Sequence, residues 1–325
     1  MVNDDRPVLH IPARDIPIPT SVSAQAQAVL SMEFPPAPEY PAPADHDAWR
    51  TMIAAHDRVV EAMVSAGVAG APVEVEELAV GAARVYQITP TDQPIDDRVY
   101  LDIHGGAFIQ GAGETCRAMG IGVARRMGLR VWALDYRMPP DHPFPAALDD
   151  CLAAYRALLQ AHKPQRIAVG GASAGGNLAA ALILRARGEG LPLPAAVVLM
   201  TPGVDLTGSG DSIQTNRGLD PLLTRDAGPA FQLYAGGHDL SDPYLSPLFG
   251  DFTPGFPPTI LTTGTRDLLL SDTVRMHRAL RAAGIEAQLH VTEAGGHGGF
   301  LGRAPEDAAI LHEVRQFVHA ALAAA

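Results

Sequence analysis

The residues in this sequence most able to do chemistry surround a serine in a glycine-rich turn. Residues 170–177 read GGASAGGN and contain the pattern G-x-S-x-G, with Ser173 at its centre. An apolar run at 167–169 precedes the turn, and an alanine- and leucine-rich helical pattern follows it. Between a strand and a helix, such a turn strains the serine backbone and leaves the hydroxyl exposed. A purely structural serine is the alternative, and the flanking strand and helix favour a nucleophile.

Two further residues have the chemistry that a serine nucleophile needs. A serine hydroxyl is weak at neutral pH, so it needs a base, and the base needs an acid that orients it. Asp267 comes just after the predicted strand 259–263, whereas the competing Asp272 lies inside the next predicted helix, so we favour Asp267. His297 follows the last predicted strand and has two glycines on either side, so its loop could approach another loop without a clash. The sequence therefore predicts a triad with Ser173, although each residue type also occurs in structural positions.

A second glycine-rich segment could stabilise negative charge on a substrate oxygen. Backbone N–H groups must be in place where that charge develops. The segment HGGAF at 104–108 directly follows the predicted strand 99–103. It would offer the amides of Gly105 and Gly106, and Ala174 would offer a third. Because any strand can end in His-Gly-Gly, this segment alone does not establish an oxyanion hole.

The elements around these residues alternate between strands and helices. Near-continuous apolar strands separated by helices predict an α/β fold with a mostly parallel central sheet and helices on both faces. The working site of such a sheet lies at the carboxyl ends of its strands. Strands are predicted at 73–78, 83–88, 99–103, 129–134, 167–169, 195–200, 259–263 and 287–291, and helices at 21–34, 45–66, 115–127, 144–161, 271–283 and 306–324.

The composition argues against several classes of partner. The chain has 325 residues, of which 47% are apolar, enough for a large core. Its net charge of −12 disfavours nucleic acid and anionic membranes, because both bind basic surface. The two cysteines, Cys116 and Cys151, are too few for a disulfide framework in a chain of this length. We therefore expect a small-molecule substrate, with neither a nucleic-acid nor a membrane partner.

Sequence signals for cofactors and for targeting are missing. The chain contains no P-loop, no H-E-x-x-H and no G-x-G-x-x-G after a strand, so we expect no metal and no cofactor. No apolar window reaches the length of a membrane span, and the N-terminus shows no secretory signal. A cytoplasmic location is the resulting expectation.

Four sequence blocks carry a resemblance to a known family. They are HGGAF at 104–108, DYRMPPDHPFPAALDD at 135–150, GGASAGGN at 170–177 and GTRDLLLSD at 264–272. With DPYLSPL at 242–248 and the His297 loop, they make the chain similar to the hormone-sensitive-lipase-like family of bacterial esterases, within the α/β-hydrolases. The resemblance runs from about residue 99 to the C-terminus.

The resemblance implies roles for individual residues. By it, Ser173 is the nucleophile, Asp267 the acid and His297 the base. It assigns three backbone amides to the oxyanion hole, those of Gly105, Gly106 and Ala174. It also implies one α/β-hydrolase domain over residues 1–325, with a core at about 71–325 and a cap built from about 1–70 and 203–235. Several family members pair through the last strand, which makes a homodimer a further expectation.

Two departures from the family pattern lie beside the proposed site. Ala172 stands before the serine, where the family commonly has an aspartate, so a hydrogen-bonding group beside the turn is lost. Ala107 replaces the third glycine of the loop 104–108, but its backbone amide remains. Neither change removes a residue of the triad.

Together these features predict a serine carboxylesterase that works through an acyl-enzyme. Small to medium neutral acyl esters or lactones suit an acidic protein with apolar residues near the site. Predicted pocket residues are Phe34, Ala107 and Phe108, and Trp49 and Met52 add apolar surface to the predicted cap. An amidase or peptidase with the same triad is the alternative, as is a ligand-binding protein on this fold that does no catalysis.

Overall fold

One eight-stranded sheet organises the computed structural model, which describes residues 8–33 and 37–323. The strands are β1 (Val73–Val80), β2 (Ala83–Pro90), β3 (Val99–Ile103), β4 (Arg130–Asp135), β5 (Ile167–Ala172), β6 (Ala196–Met200), β7 (Thr259–Gly264) and β8 (Ala287–Thr292). Their spatial order is β1-β2-β4-β3-β5-β6-β7-β8. β1 and β2 form a hairpin, β2 pairs antiparallel with β4, and every later pairing is parallel. The predicted mostly parallel sheet is confirmed.

Helices cover both faces of the sheet, as predicted. The helices that the structure describes are α1 (Ala24–Leu30), α2 (His46–Val68), α3 (Glu114–Met127), α4 (Ala146–Ala161), α5 (Ala174–Gly188), α6 (Ser212–Thr215), α7 (Gly228–Ala235), α8 (Leu270–Ala282) and α9 (Pro305–Ala323). One buried cluster joins the sheet to α4, α5 and α8, and a second joins its other face to α3 and α9.

The alternation of side chains along β3 shows why the sheet needs helices on both of its faces. Leu101 and Ile103 belong to the first cluster, whereas Tyr100 belongs to the second. Successive side chains of a strand point to opposite faces, and all five side chains of β3 are buried. A mostly apolar sequence is expected for such a strand, and Asp102 is the exception within it.

Two predicted elements differ from the structure by three residues or more in their bounds, whereas the other predicted strands and helices agree to within two residues. The helix predicted at 21–34 covers only Ala24–Leu30, because the Ser23 hydroxyl caps its first turn by accepting from the Ala26 amide at 3.1 Å. Residue 34 lies outside the described residues. The strand predicted at 167–169 continues to Ala172, because its glycines keep pairing with β3 and β6. Gly170 is required there, since a Cβ would collide with the Tyr100 hydroxyl.

Among residues 8–33 and 37–323, no helix combines the length and the apolar character needed to cross a membrane.

Candidate active site

Ser173 lies on the tight turn between β5 and α5. Its backbone has φ 57° and ψ −119°, a conformation that residues other than glycine rarely adopt. The turn needs close contact with the end of β3, because a Cβ at Gly175 would collide with the Ile103 carbonyl. Within the described part of the chain the Ser173 hydroxyl makes no hydrogen bond, and it faces a cavity. The strain is thus localised at a side chain free to react.

The turn is braced by its neighbours although Ala172 cannot contribute a hydrogen bond. The Ser173 amide donates to the Met200 carbonyl at 2.9 Å, at the end of the adjacent β6. The side chain of Asn177, in the first turn of α5, donates to the carbonyls of Gly203 at 2.7 Å and Leu245 at 2.8 Å. The Ala172 side chain is exposed, so its replacement leaves no gap in the core.

Asp267 and His297 form a buried pair on the loops after β7 and β8, and Leu268 and Leu269, which follow Asp267, line the same cavity as Ser173. Asp267 follows β7 and has no exposed surface, and its Oδ1 lies 3.1 Å from His297 Nδ1. The same oxygen accepts from the Leu269 amide at 2.9 Å, and Oδ2 accepts from the Thr263 hydroxyl at 2.8 Å. These bonds fix the carboxylate, and the carboxylate fixes the imidazole with Nδ1 as its donor. Nε2 is then left as the basic nitrogen.

The competing carboxyl of Asp272 is placed elsewhere. It lies in α8, where its Oδ2 accepts from the Asp205 amide at 3.0 Å. Burial raises the pKa of Asp272 to about 8, so this carboxyl is neutral at pH 7. His297 therefore lies against Asp267, whereas the carboxyl of Asp272 bonds to the Asp205 amide.

The loop after β3 abuts the serine turn. A Cβ at Gly105 would lie 2.8 Å from the Ala172 carbonyl oxygen and 3.3 Å from Ser173 Cβ. Gly106 has φ 119°, and Ala107 has φ 52°. The structure thus brings the predicted loop to the serine. In residues 8–33 and 37–323, the three predicted donor amides, those of Gly105, Gly106 and Ala174, have no protein acceptor.

Tyr136, which the sequence analysis did not single out, supports that loop through its ring and its hydroxyl. Its ring stacks on the His104 ring with centroids 4.2 Å apart, and its hydroxyl donates to the His104 carbonyl at 3.0 Å. The His104 ring also contacts the Gly105 carbonyl through Nδ1, at 2.7 Å. Tyr136 belongs to the block at 135–150, so the resemblance was the signal that pointed to this region.

A cavity of about 390 Å³ opens over Ser173. Ala107 and Phe108, two of the predicted pocket residues, line it, whereas the third, Phe34, lies outside the described residues. Most of the remaining wall comes from residues 203–232 and from 268–269. Its apolar members include Leu206, Ile213, Leu223 and Phe231, and its charged members are Arg217, Arg225 and Asp226. Trp49 and Met52 do not line the cavity and instead pack against Ile109, Ala230 and Leu233 behind it.

A buried carboxylate near Asp267 and His297 was missed from the sequence. Asp220 Oδ2 accepts from the backbone amides of His297 at 3.0 Å and Leu268 at 3.2 Å. Together with Asp267, its charge raises the pKa of His297 above the ordinary value, outweighing burial, which lowers it. In the sequence Asp220 is only an aspartate before a proline, a pattern typical of any turn.

One cluster of side chains has the spacing of a metal site, but its chemistry argues against one. Ligand atoms of His104, Cys116 and Asp135 lie within 4.8 Å of one another. Both Asp135 oxygens already accept hydrogen bonds, from the Gly113 amide and from Arg84. Burial also raises the pKa of Cys116, which disfavours the thiolate that a metal requires.

Known proteins resemble this chain over most of its length. Residues 100–301 match a family model described as alpha/beta hydrolase fold. An acetyl-hydrolase of Streptomyces hygroscopicus is 38% identical over 240 residues, which cover 73% of this chain and 77% of that protein. The crystal structure of an esterase, E25, is 38% identical and superposes with a TM-score of 0.88, covering 96% of this chain and 98% of its own. A hormone-sensitive lipase from a metagenome library is 29% identical, with a TM-score of 0.78 over 92% of this chain and 97% of its own.

Proposed function

Because this chain belongs to the alpha/beta hydrolase family, as an esterase of the hormone-sensitive-lipase-like type, we propose that Ser173, Asp267 and His297 hydrolyse carboxylic esters through an acyl-enzyme. The observation that carries the proposal is the buried Asp267–His297 contact of 3.1 Å, on a loop whose next residue, Leu268, lines the cavity that the strained Ser173 faces. The order of these residues along the chain is also that of α/β-hydrolase triads.

The first half of the reaction acylates the serine. His297 Nε2 takes the hydroxyl proton of Ser173 as Oγ attacks the ester carbonyl carbon, and the carbonyl electron pair moves onto the oxygen. The carboxylate of Asp267 stabilises the imidazolium that forms. The oxyanion accepts hydrogen bonds from the loop amides, which are already in place and need no reorganisation.

The second half releases the acid. The tetrahedral intermediate collapses, the bond to the leaving oxygen breaks, and His297 gives its proton to the departing alcohol. A water molecule then loses a proton to His297 and attacks the acyl carbon, and Ser173 leaves with that proton. A lactone follows the same steps, with its alcohol still tethered to the acyl group.

The cavity supports small to medium neutral acyl groups as substrates. Its volume of about 390 Å³ lies near the lower end of ligand sites, and much of its wall is apolar. We propose that residues 1–70 and 203–235 form the cap over it. Trp49 of the first segment packs against Ala230 and Leu233 of the second, which ties the two segments together. A homodimer and a cytoplasmic location stay predictions.

An acyl-length series tests the substrate class. We expect kcat/KM for p-nitrophenyl esters to be highest for short and medium acyl chains and to fall towards dodecanoyl, because a long chain exceeds the cavity. The measurement is kcat/KM from acetyl to dodecanoyl, with Ser173→Ala as the blank for background hydrolysis. A maximum at dodecanoyl would contradict the proposed pocket, and matched anilides in the same assay test the amidase alternative.

The pH dependence follows from His297. As a general base it must be neutral, and below its pKa it is protonated and cannot accept the serine proton. Burial lowers the pKa of His297, but the charges of Asp267 and Asp220 raise it more, so it lies above the ordinary 6.5. We therefore expect the acid limb of the kcat/KM profile to have its midpoint above pH 6.5, with activity lost as the pH falls through it. A midpoint below that value would contradict the assignment.

A further inference from the structure

Asp220 is a buried carboxylate that the reaction itself does not use. It lies between α6 and α7, in the segment that lines the cavity, and only 2% of its surface is exposed. In the part of the chain that the structure describes, no arginine, lysine or histidine side chain pairs with it. An isolated buried carboxylate is costly unless hydrogen bonds compensate for the lost water. The hydrogen-bond donors that contact Asp220 should therefore indicate the role of this carboxylate.

Four backbone amides satisfy this carboxylate, and they come from three places. Oδ1 accepts from Leu222 at 2.9 Å and from Leu223 at 3.1 Å, within its own turn. Oδ2 accepts from Leu268 at 3.2 Å, the residue after the proposed acid, and from His297 at 3.0 Å, the proposed base. One oxygen thus joins the two loops of the triad, and the other joins them to the cavity wall, because Leu223 lines the cavity.

We propose that Asp220 is a positioning residue: its carboxylate holds the His297 backbone in register with the Asp267 loop and ties both to the wall of the acyl pocket. The inference rests on the proposed roles of Asp267 and His297. Asp220 acts through those residues and contacts no reacting atom.

The neighbours of Asp220 separate its role from that of its segment. Asn216 donates through its side chain to the carbonyls of Thr265 at 3.1 Å and Asp267 at 2.9 Å. The Ser212 hydroxyl donates to the Leu268 carbonyl at 2.6 Å. Both side chains attach the segment to the acid loop, but neither bonds to His297. Of these three buried polar residues, spaced four apart, Asp220 is the one that reaches the base.

Packing against the next residue supports the same contact. Pro221 lies so close to Gly296 that a Cβ there would sit 2.6 Å from the proline Cδ. The glycine before His297 therefore lets its loop lie flat on the Asp220–Pro221 turn, where the His297 amide meets the carboxylate. The charge of Asp220 also acts on the imidazole, since Asp267 and Asp220 are the two groups that raise the pKa of His297.

The test compares Asp220→Asn with two controls. Asparagine offers one acceptor oxygen and turns an NH₂ group towards two of the four N–H donors, so one pair of contacts is lost along with the charge. We expect kcat to fall by about 10²-fold, the loss typical of a small misplacement of catalytic groups. We also expect the acid limb of kcat/KM to move to lower pH. Asn216→Ala should lower Tm but leave the acid limb of kcat/KM at its wild-type pH. Asp211→Asn, at an exposed position, should change neither Tm nor the acid limb.

The possible outcomes are distinct. A lowered Tm with wild-type kcat and a wild-type acid limb would show a purely structural role and overturn the inference. If Asp220→Asn does not fold, Asp220→Glu replaces it. That variant keeps the charge but displaces both amides, so a reduced kcat with the limb unmoved is expected, and a wild-type kcat would overturn the inference. Ser173→Ala is measured in the same assays. If Ser173→Ala keeps its activity, the proposed function fails. If Ser173→Ala is inactive and Asp220→Asn behaves like the wild type, only the role of Asp220 is refuted.

Discussion

Replacing Ser173 with alanine is expected to lower kcat by about 10⁵- to 10⁶-fold, the loss typical of removing a serine nucleophile. The side chain makes no hydrogen bond within the described residues, and its removal leaves the bracing of the turn by Met200 intact. Tm should therefore stay close to that of the wild type. The measurement is kcat on p-nitrophenyl acetate, with the active fraction of the wild type fixed by titration with a phosphonate and the variant compared at equal concentration of folded protein.

Controls for this variant separate a lost nucleophile from a damaged fold. The exposed Ser241→Ala should keep full activity. The double variant of Ser173 and His297, both changed to alanine, should be no worse than Ser173→Ala, because a base has nothing to activate once the nucleophile is gone. Wild-type turnover by Ser173→Ala, or phosphonate labelling at another residue, would refute the assignment.

The sequence was most informative where one local pattern determines one local structure. The mostly apolar sequences of β3 and β5, and the glycines that let the serine turn approach β3, are readable because each depends on neighbouring residues. The order of strands in the sheet is a different kind of fact. It depends on which strands pair across the chain, and the sequence predicted only that the sheet is mostly parallel.

The cavity wall and its supports were less predictable for a physical reason. The residues that line the cavity are scattered through 203–232 among others that pack in the core, such as Val204 and Ala230, so no strand or helix period marks which of them line it. The block 242–248 is similar: the Leu245 carbonyl accepts from Asn177, and the Ser246 hydroxyl accepts from the Leu206 amide. Such residues join segments that are distant in sequence, so only the fold brings them together. Asp220, with partners at 268 and 297, is the clearest case.

The acid of the triad can be identified by exchanging each competing carboxyl for an amide. Asp267→Asn should lower kcat by about 10³- to 10⁴-fold, because the amide can still accept from His297 but carries no charge to stabilise the imidazolium. Loss of that charge should also move the acid limb of kcat/KM to lower pH, since Asp267 raises the pKa of His297. Both effects are read from pH-rate profiles of the variant and the wild type.

Asp272→Asn is the matched control, because it makes the same chemical change five residues later. The pKa of Asp272 is raised to about 8 by burial, so the carboxyl is already neutral at pH 7 and an amide differs little from it in charge or shape. We expect kcat within about threefold of the wild type and an unmoved acid limb, since the charge and the geometry around His297 are unchanged. The reverse result, a large loss of kcat for Asp272→Asn and a small one for Asp267→Asn, would identify Asp272 in α8 as the acid. His297 would then have to leave the carboxylate that lies 3.1 Å from its Nδ1 and reach one that bonds to the Asp205 amide instead.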